Sequence, residues 1–476
     1  MNAVLTLLML LVCSGIVFLS PSKAPAALVL TAALAGISVI LINRLDYERK
    51  FLLQLFMGGL MVRLIIGTII FIYNLQEFFG GDADTYDLNG WFMQQGWHGN
   101  KYYTALMERF IGGGEGAWGM LYMVAGVYEI VGRNPLAVQF INAVIGAATA
   151  VIIFLCAFHI FGNNRVARLA GLLTAFFPSL VLWSSQELKD GPIMFVLTLS
   201  ILATLKLGER FSTKYFAVLT FSLIALVSLR FYIFYMMLAA IVGAFVIGMR
   251  QITAQSFARQ FIIVLGLGLA MTWFGVVRYA NDPLKQYGNL QALQRSRMDA
   301  AQRASSGFAP DVNVSTAEGA LSTIPIGLIY LLFAPFPWEV SNLRQTITLP
   351  EMIVWWAAFP LLIIGLWFAA RYKLRQIFPI LIFTVMLSLA YSVFQGNVGT
   401  AYRQRAQLLV FYFLFVAVGA VLLKEKQEER ARRNRAKAIE AYERRQEWRY
   451  ARNQTAVSII REEEQSMVSA SASRPK

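Results

Sequence analysis

Residues 51–73, FLLQLFMGGLMVRLIIGTIIFIY, form an apolar run long enough to cross a bilayer, and Phe79-Gly80-Gly81-Asp82-Ala83-Asp84-Thr85-Tyr86 follows within a few residues. The first stretch predicts a transmembrane helix. The second places two carboxylates among aromatic side chains at the membrane–water boundary. Carboxylates at that depth are costly, so they point to a functional site.

Working outward, the same apolar pattern recurs along the whole chain. Of its 476 residues 57% are hydrophobic and only 14% charged, and the mean hydropathy is +0.56. A soluble fold of this size carries more charge. The chain therefore reads as an all-α polytopic membrane protein of about 12 transmembrane helices with a large first outer loop. The windows fall near 2–20, 25–43, 51–73, 136–161, 166–184, 190–207, 215–229, 231–249, 258–278, 351–370, 376–395 and 405–423. Residues 118–132 are too short to span and fit an interfacial helix. Residues 324–340, broken by Pro335 and Pro337, fit a re-entrant or interfacial segment.

Basic residues set the expected orientation. Arg44, Arg49 and Lys50, Arg165 and Arg168, Arg210 and Lys214, Arg371, Lys373 and Arg375 all fall on one side if both termini are cytoplasmic. Three domains follow: a transmembrane hairpin over 1–50, a transmembrane catalytic domain over 51–423 with outer loops 74–135 and 279–350, and a basic cytoplasmic helix with a disordered tail over 424–476. That last segment suits anionic lipid headgroups. The net charge of +15 is spread over short loops and this tail, which argues against a nucleic-acid partner. Cys13 and Cys156 both lie in apolar runs, so no disulfide is expected.

On the expected outer side, polar residues concentrate. The first loop supplies Asp82, Asp84 and Tyr86; the turn after 184 supplies Lys189 and Asp190. Arg230 stands alone between two spans, Arg278 ends another, and Tyr402, Arg403 and Arg405 open the last. Arginine pairs bidentately with phosphate and a carboxylate can deprotonate a hydroxyl, so the set suits attack on a group attached to a lipid phosphate. Each residue also has a structural reading. Asp82 and Asp84 suit a turn or helix cap, Asp190 heads a helix at Lys189-Asp190-Gly191-Pro192, and Arg403 and Arg405 suit snorkelling.

These residues resemble those of the GT-C superfamily of membrane glycosyltransferases, in the protein-mannosyltransferase and aminoarabinose-transferase branch. There an acidic motif of the form Asp-(Asp/Glu)-x-x-Tyr opens the first outer loop; here Asp82-Ala83-Asp84-Thr85-Tyr86 stands in its place. The block Phe177-Pro178-Ser179 to Trp183-Ser184-Ser185-Gln186-Glu187-Leu188-Lys189-Asp190 is similar too, and the likeness covers roughly residues 51–250. Ala83 departs from the motif, which leaves open which aspartate acts.

The resemblance implies a polyprenyl-phosphate-linked sugar donor, a glycan, lipid or protein acceptor, and transfer with inversion. It implies Asp82, Asp84 and Asp190 as catalytic candidates, with Tyr86, Lys189, Arg230, Arg278, Tyr402, Arg403 and Arg405 binding substrate or phosphate. It leaves a divalent metal optional, and no dedicated ligand set is visible in the sequence. A flippase for lipid-linked oligosaccharides without catalysis, or a polymerase or ligase of lipid-linked glycans, is the alternative.

Overall fold

The structure is a computed structural model describing residues 3–112, 118–247, 254–276, 289–303 and 306–472. Among these residues every element is helical, apart from an isolated bridge between Gly307 and Asn397. Helices α1 (Ala3–Leu19) and α2 (Ala24–Asn43) form a hairpin, and α3 (Arg49–Ile72) follows. The first long connection folds into α4 (Gln76–Phe79), α5 (Asp82–Trp97), α6 (Lys101–Gly112) and α7 (Trp118–Val131). Then come α8 (Pro135–Phe161), α9 (Asn164–Phe176), α10 (Pro178–Trp183), α11 (Asp190–Glu209), α12 (Thr213–Leu229), α13 (Phe231–Ile247) and α14 (Ala254–Trp273). The remaining long helices are Leu290–Arg303, Ala317–Phe333, Leu343–Phe394 and Val398–Ala472.

This is the architecture of an all-α polytopic membrane protein. Among the described residues six helices are long and apolar enough to cross a bilayer: α2, α3, α8, α11, Leu343–Phe394 and the apolar part of the last helix. Shorter apolar helices, α1, α7, α12 and α13 among them, accompany these six. The 52-residue helix Leu343–Phe394 leaves helical geometry at Lys373 and so supplies two lengths, where the sequence predicts two spans. The window 166–184, by contrast, is two helices. Pro178 disfavours helical backbone at the residue before it, and Phe177 is extended there (φ −65°, ψ 128°). Residues 324–340 form the end of helix Ala317–Phe333 and a short 3-10 turn at Pro337–Glu339. The indoles of Trp355 and Trp356 fasten this end by donating to the carbonyls of Leu332 (2.7 Å) and Phe333 (3.1 Å).

Helix α8 is the hub. It starts on Pro135, with the Asn134 side chain accepting from the Ala137 amide, and ends on Gly162 at φ +64°. Around it pack α2, α3, α9 and α11. Two glycines let these helices close on the turn 184–189. A Cβ at Gly67 would lie 2.9 Å from the Ser185 carbonyl, and one at Gly146 would lie 2.5 Å from Ser184 Oγ. At the far end of the helices from this turn, Arg168 pairs with Glu48 at 2.7 Å and His159 with Glu209 at 3.4 Å. Met1–Gly419 is one compact unit; Ala420–Lys476 is a second, helical through Ala472 and exposed from residue 429 to residue 466.

Candidate active site

The turn after α3 ends on Gly80 at φ +121°, a conformation suited to glycine, and this delivers Asp82 as the first residue of α5. Asp190 is the first residue of α11 and is fully buried. Arg230 occupies the extended joint between α12 and α13, and Arg403 lies in the opening turns of the helix Val398–Ala472. Four chain segments distant in sequence thus deliver two aspartates and two arginines to one place.

Arg403 joins the aspartates. Its Nη1 donates to Asp82 Oδ2 at 2.6 Å, while Nε donates to Asp190 Oδ2 at 2.7 Å. Arg230 Nη2 lies 3.6 Å from the other Asp190 oxygen, and its Nη1 donates to the Tyr391 hydroxyl at 3.1 Å. Tyr391 in turn donates to Gln407 at 2.6 Å. Buried charges persist only when paired in this way. The aspartates differ in setting: Asp190 is sealed, whereas the Asp82 side chain is 55% exposed.

The array opens into a cavity of about 950 Å³. Asp82, Lys189, Arg230 and Arg403 form its charged end, with Val62, Ile66 and Val181 as apolar wall. Asn342, Gln345 and Glu351, from the helix Leu343–Phe394 and the residue before it, face it from elsewhere. Lys189 sits with Nζ 5.9 Å from the Tyr86 ring centroid. Burial, reinforced by Arg230, pushes the Lys189 ammonium down to about 7. Burial, and next the Asp82 charge, raises the Tyr86 phenol, so that it stays a neutral hydroxyl.

The site residues expected from the sequence separate into groups. Asp82, Lys189, Asp190, Arg230 and Arg403 come together, with Tyr86 beneath Lys189 and Tyr402 on the cavity wall. Asp84 is exposed and faces another charge group; burial, Asp87 and Glu77 raise its carboxyl. Arg405 is buried and points away, donating to the carbonyls of Leu332 (3.1 Å) and Ala334 (3.0 Å) at the end of helix Ala317–Phe333. Arg278 lies outside the described residues.

Other polar residues enter that hydropathy reading passes over. Arg63, inside α3, donates to Ser184 Oγ at 2.7 Å. Glu351 lines the cavity at the start of a predicted span. A second carboxylate group backs α5: Arg133 forks onto Asp87 (2.5 and 3.1 Å), and Tyr128 donates to Asp87 at 2.6 Å and to buried Glu187 at 3.3 Å. Burial and then Asp87 push the Glu187 carboxyl well up. A charged residue inside an apolar window, as Arg63 is, or at its first position, as Glu351 is, is the signal that finds the first two.

Among the described residues no three of His, Cys, Asp and Glu gather to hold a metal. Asp82 and Asp190 share Arg403.

Residues 117–277 match the family model described as dolichyl-phosphate-mannose-protein mannosyltransferase. The matched stretch runs from α7 through α14 and holds Lys189, Asp190 and Arg230, while Asp82 and Arg403 lie outside it. No curated protein matches the chain. The helical architecture with its long apolar helices is that of an integral multi-pass membrane protein, and residues 117–277 resemble a glycosyltransferase domain of the GT-C superfamily.

Proposed function

We propose that the protein transfers a sugar from a polyprenyl-phosphate donor to an acceptor hydroxyl at the outer face of the membrane, with Asp82 as general base. The observation that carries this reading is the Asp82–Arg403–Asp190–Arg230 array at the charged end of a large cavity. Asp190, buried between the arginines, keeps both cations in place. The donor phosphate then binds to Arg403, Arg230 and Lys189, the fork of an arginine matching phosphate oxygens.

As Arg403 turns to the phosphate, the exposed Asp82 carboxylate is left to accept the acceptor's proton. The acceptor oxygen attacks the anomeric carbon from the face opposite the phosphate, the new C–O bond forms with inversion, and the old one breaks. The electron pair leaves on polyprenyl phosphate, whose charge the arginines balance. Arg405 acts at a distance, tying the end of helix Ala317–Phe333 to the cavity-lining helix. The basic tail lies along anionic headgroups.

The test compares lipid-linked intermediates and surface glycans in a deletion strain complemented with wild type or Asp82→Asn at matched expression. Transfer predicts that the variant accumulates unspent donor and lacks one sugar in its glycan. A wild-type profile from the variant would remove Asp82 from the base role.

A further inference from the structure

Glu351 is the cavity carboxylate that the phosphate reading leaves unused. It is 5% exposed, lines the cavity, and accepts a hydrogen bond from the buried Tyr402 hydroxyl at 2.7 Å. Its setting differs from that of Asp190, because no arginine forks onto it; the nearby Arg405 acts on it only through its field while donating elsewhere. A chain of contacts connects it to the phosphate end. The Arg403 guanidinium carbon lies 5.8 Å from the Trp183 ring centroid, and the Trp183 and Tyr402 rings stand edge to face at 6.2 Å. Tyr402 then reaches Glu351. Arg403, Trp183, Tyr402 and Glu351 all line the same cavity.

We propose that Glu351, set by Tyr402 beside Trp183, is the sugar-recognition subsite of the donor, reading neutral ring hydroxyls. This rests on the proposed transfer from a lipid phosphate. A carboxylate accepts from neighbouring hydroxyls of a pyranose, and an indole offers an apolar face to its C–H groups. Glu351 Oε2 takes the tyrosine, Ser179 lies beside the carboxylate, and Oε1, which has no hydrogen-bond partner, is the acceptor for a sugar hydroxyl. The choice of neutral hydroxyls over a sugar ammonium follows from Arg405, whose field already offsets the Glu351 charge. The subsite lies one aromatic layer from Arg403, so the phosphate and the sugar it carries contact different residues.

The test measures binding of short-chain polyprenyl phosphate, bare or carrying mannose, glucose, galactose or an amino sugar, to the purified full-length protein in lipid nanodiscs. Wild type should bind at least one neutral sugar conjugate about tenfold more tightly than the bare lipid phosphate. Glu351→Ala should erase that preference and leave the bare lipid's affinity unchanged. Glu351→Gln, which keeps one acceptor oxygen and the side-chain volume, should retain part of it, and Tyr402→Phe should weaken it. Equal weakening of bare and sugar-bearing lipid by both Glu351 variants would overturn the assignment, as would a wild type that discriminates no sugar or prefers only the amino sugar. Failure of wild type to bind bare polyprenyl phosphate would instead strike the phosphate reading, and an Arg403→Gln control separates the two.

Discussion

Arg63 donates from the middle of α3 to Ser184 Oγ at 2.7 Å, and the same guanidinium serves the Ala175 carbonyl at 2.7 Å and the Gly59 carbonyl at 3.0 Å. Helix α9 breaks at Phe177, so its last carbonyls lack intrahelical partners and its end carries partial negative charge. One buried cation answers that end and fixes the turn that leads to Lys189 and Asp190. Removing it leaves buried acceptors unpaired, each costing about 1–3 kcal/mol. Arg63→Leu is therefore expected to lower the melting temperature by several degrees and to reduce transfer. Arg63→Lys should recover only part, since an ammonium lacks the planar fork. An Arg63→Leu protein that melts with wild type would remove the tie from the account.

Asp190 carries a second, larger prediction. It is fully buried and answers both Arg403 and Arg230. Asp190→Asn keeps the shape but strands two buried guanidinium groups, and breaking a buried pair costs about 3–5 kcal/mol. Arg403 retains Asp82, so the loss should fall chiefly on Arg230. Thermal unfolding of Asp190→Asn, Arg230→Gln and the double variant gives the coupling energy directly. Additive losses would show that the carboxylate does not hold Arg230.

Much of this fold is legible from apolar windows, and the reasons for the exceptions are specific. Hydropathy reads burial along one helix, so α3, α8 and the two halves of Leu343–Phe394 are visible to it. It cannot read the backbone break at Phe177, which depends on a single proline within an apolar run. For the site, Asp82, Lys189, Asp190, Arg230 and Arg403 stand out because each is a charge at the edge of a span. Their grouping is a tertiary fact: Arg403 is 321 residues from Asp82. Arg63 is hidden for the opposite reason, since a window average dilutes one charge among many apolar neighbours.

Lys189 makes the site's response to pH predictable. With its ammonium pushed down to about 7, it is mostly charged at pH 6 and mostly neutral at pH 8. A phosphate prefers the charged form, so affinity for polyprenyl phosphate should fall as pH rises through about 7. Lys189→Arg holds its charge throughout and should flatten that profile. Stability should move the other way. Between about 7 and the ordinary lysine value of 10.5 the unfolded chain holds a proton the folded one has lost, so folding gains stability as pH rises in that window. A binding profile unchanged by Lys189→Arg would take Lys189 out of phosphate contact.

Asp82 and Asp84 lie two residues apart on α5, yet Asp82 alone of the two lines the cavity, so the pair offers an internal control for the base assignment. The Asp82 side chain is 55% exposed and meets Arg403 at 2.6 Å. Arg403 keeps its pair with Asp190 when Asp82 is lost, so Asp82→Asn should melt close to wild type. Losing a general base typically costs a factor of about 10²–10⁴ in turnover. Asp82→Asn should therefore bind donor and fail to transfer, with kcat falling far more than KM changes. Asp84→Asn, whose side chain belongs with Asp87 and Glu77, should transfer within a fewfold of wild type. Both variants are compared by single-turnover release of polyprenyl phosphate from a labelled donor. If Asp84→Asn is the dead enzyme and Asp82→Asn turns over, α5 must present its other face to the acceptor during reaction, and the base assignment moves two residues along the chain.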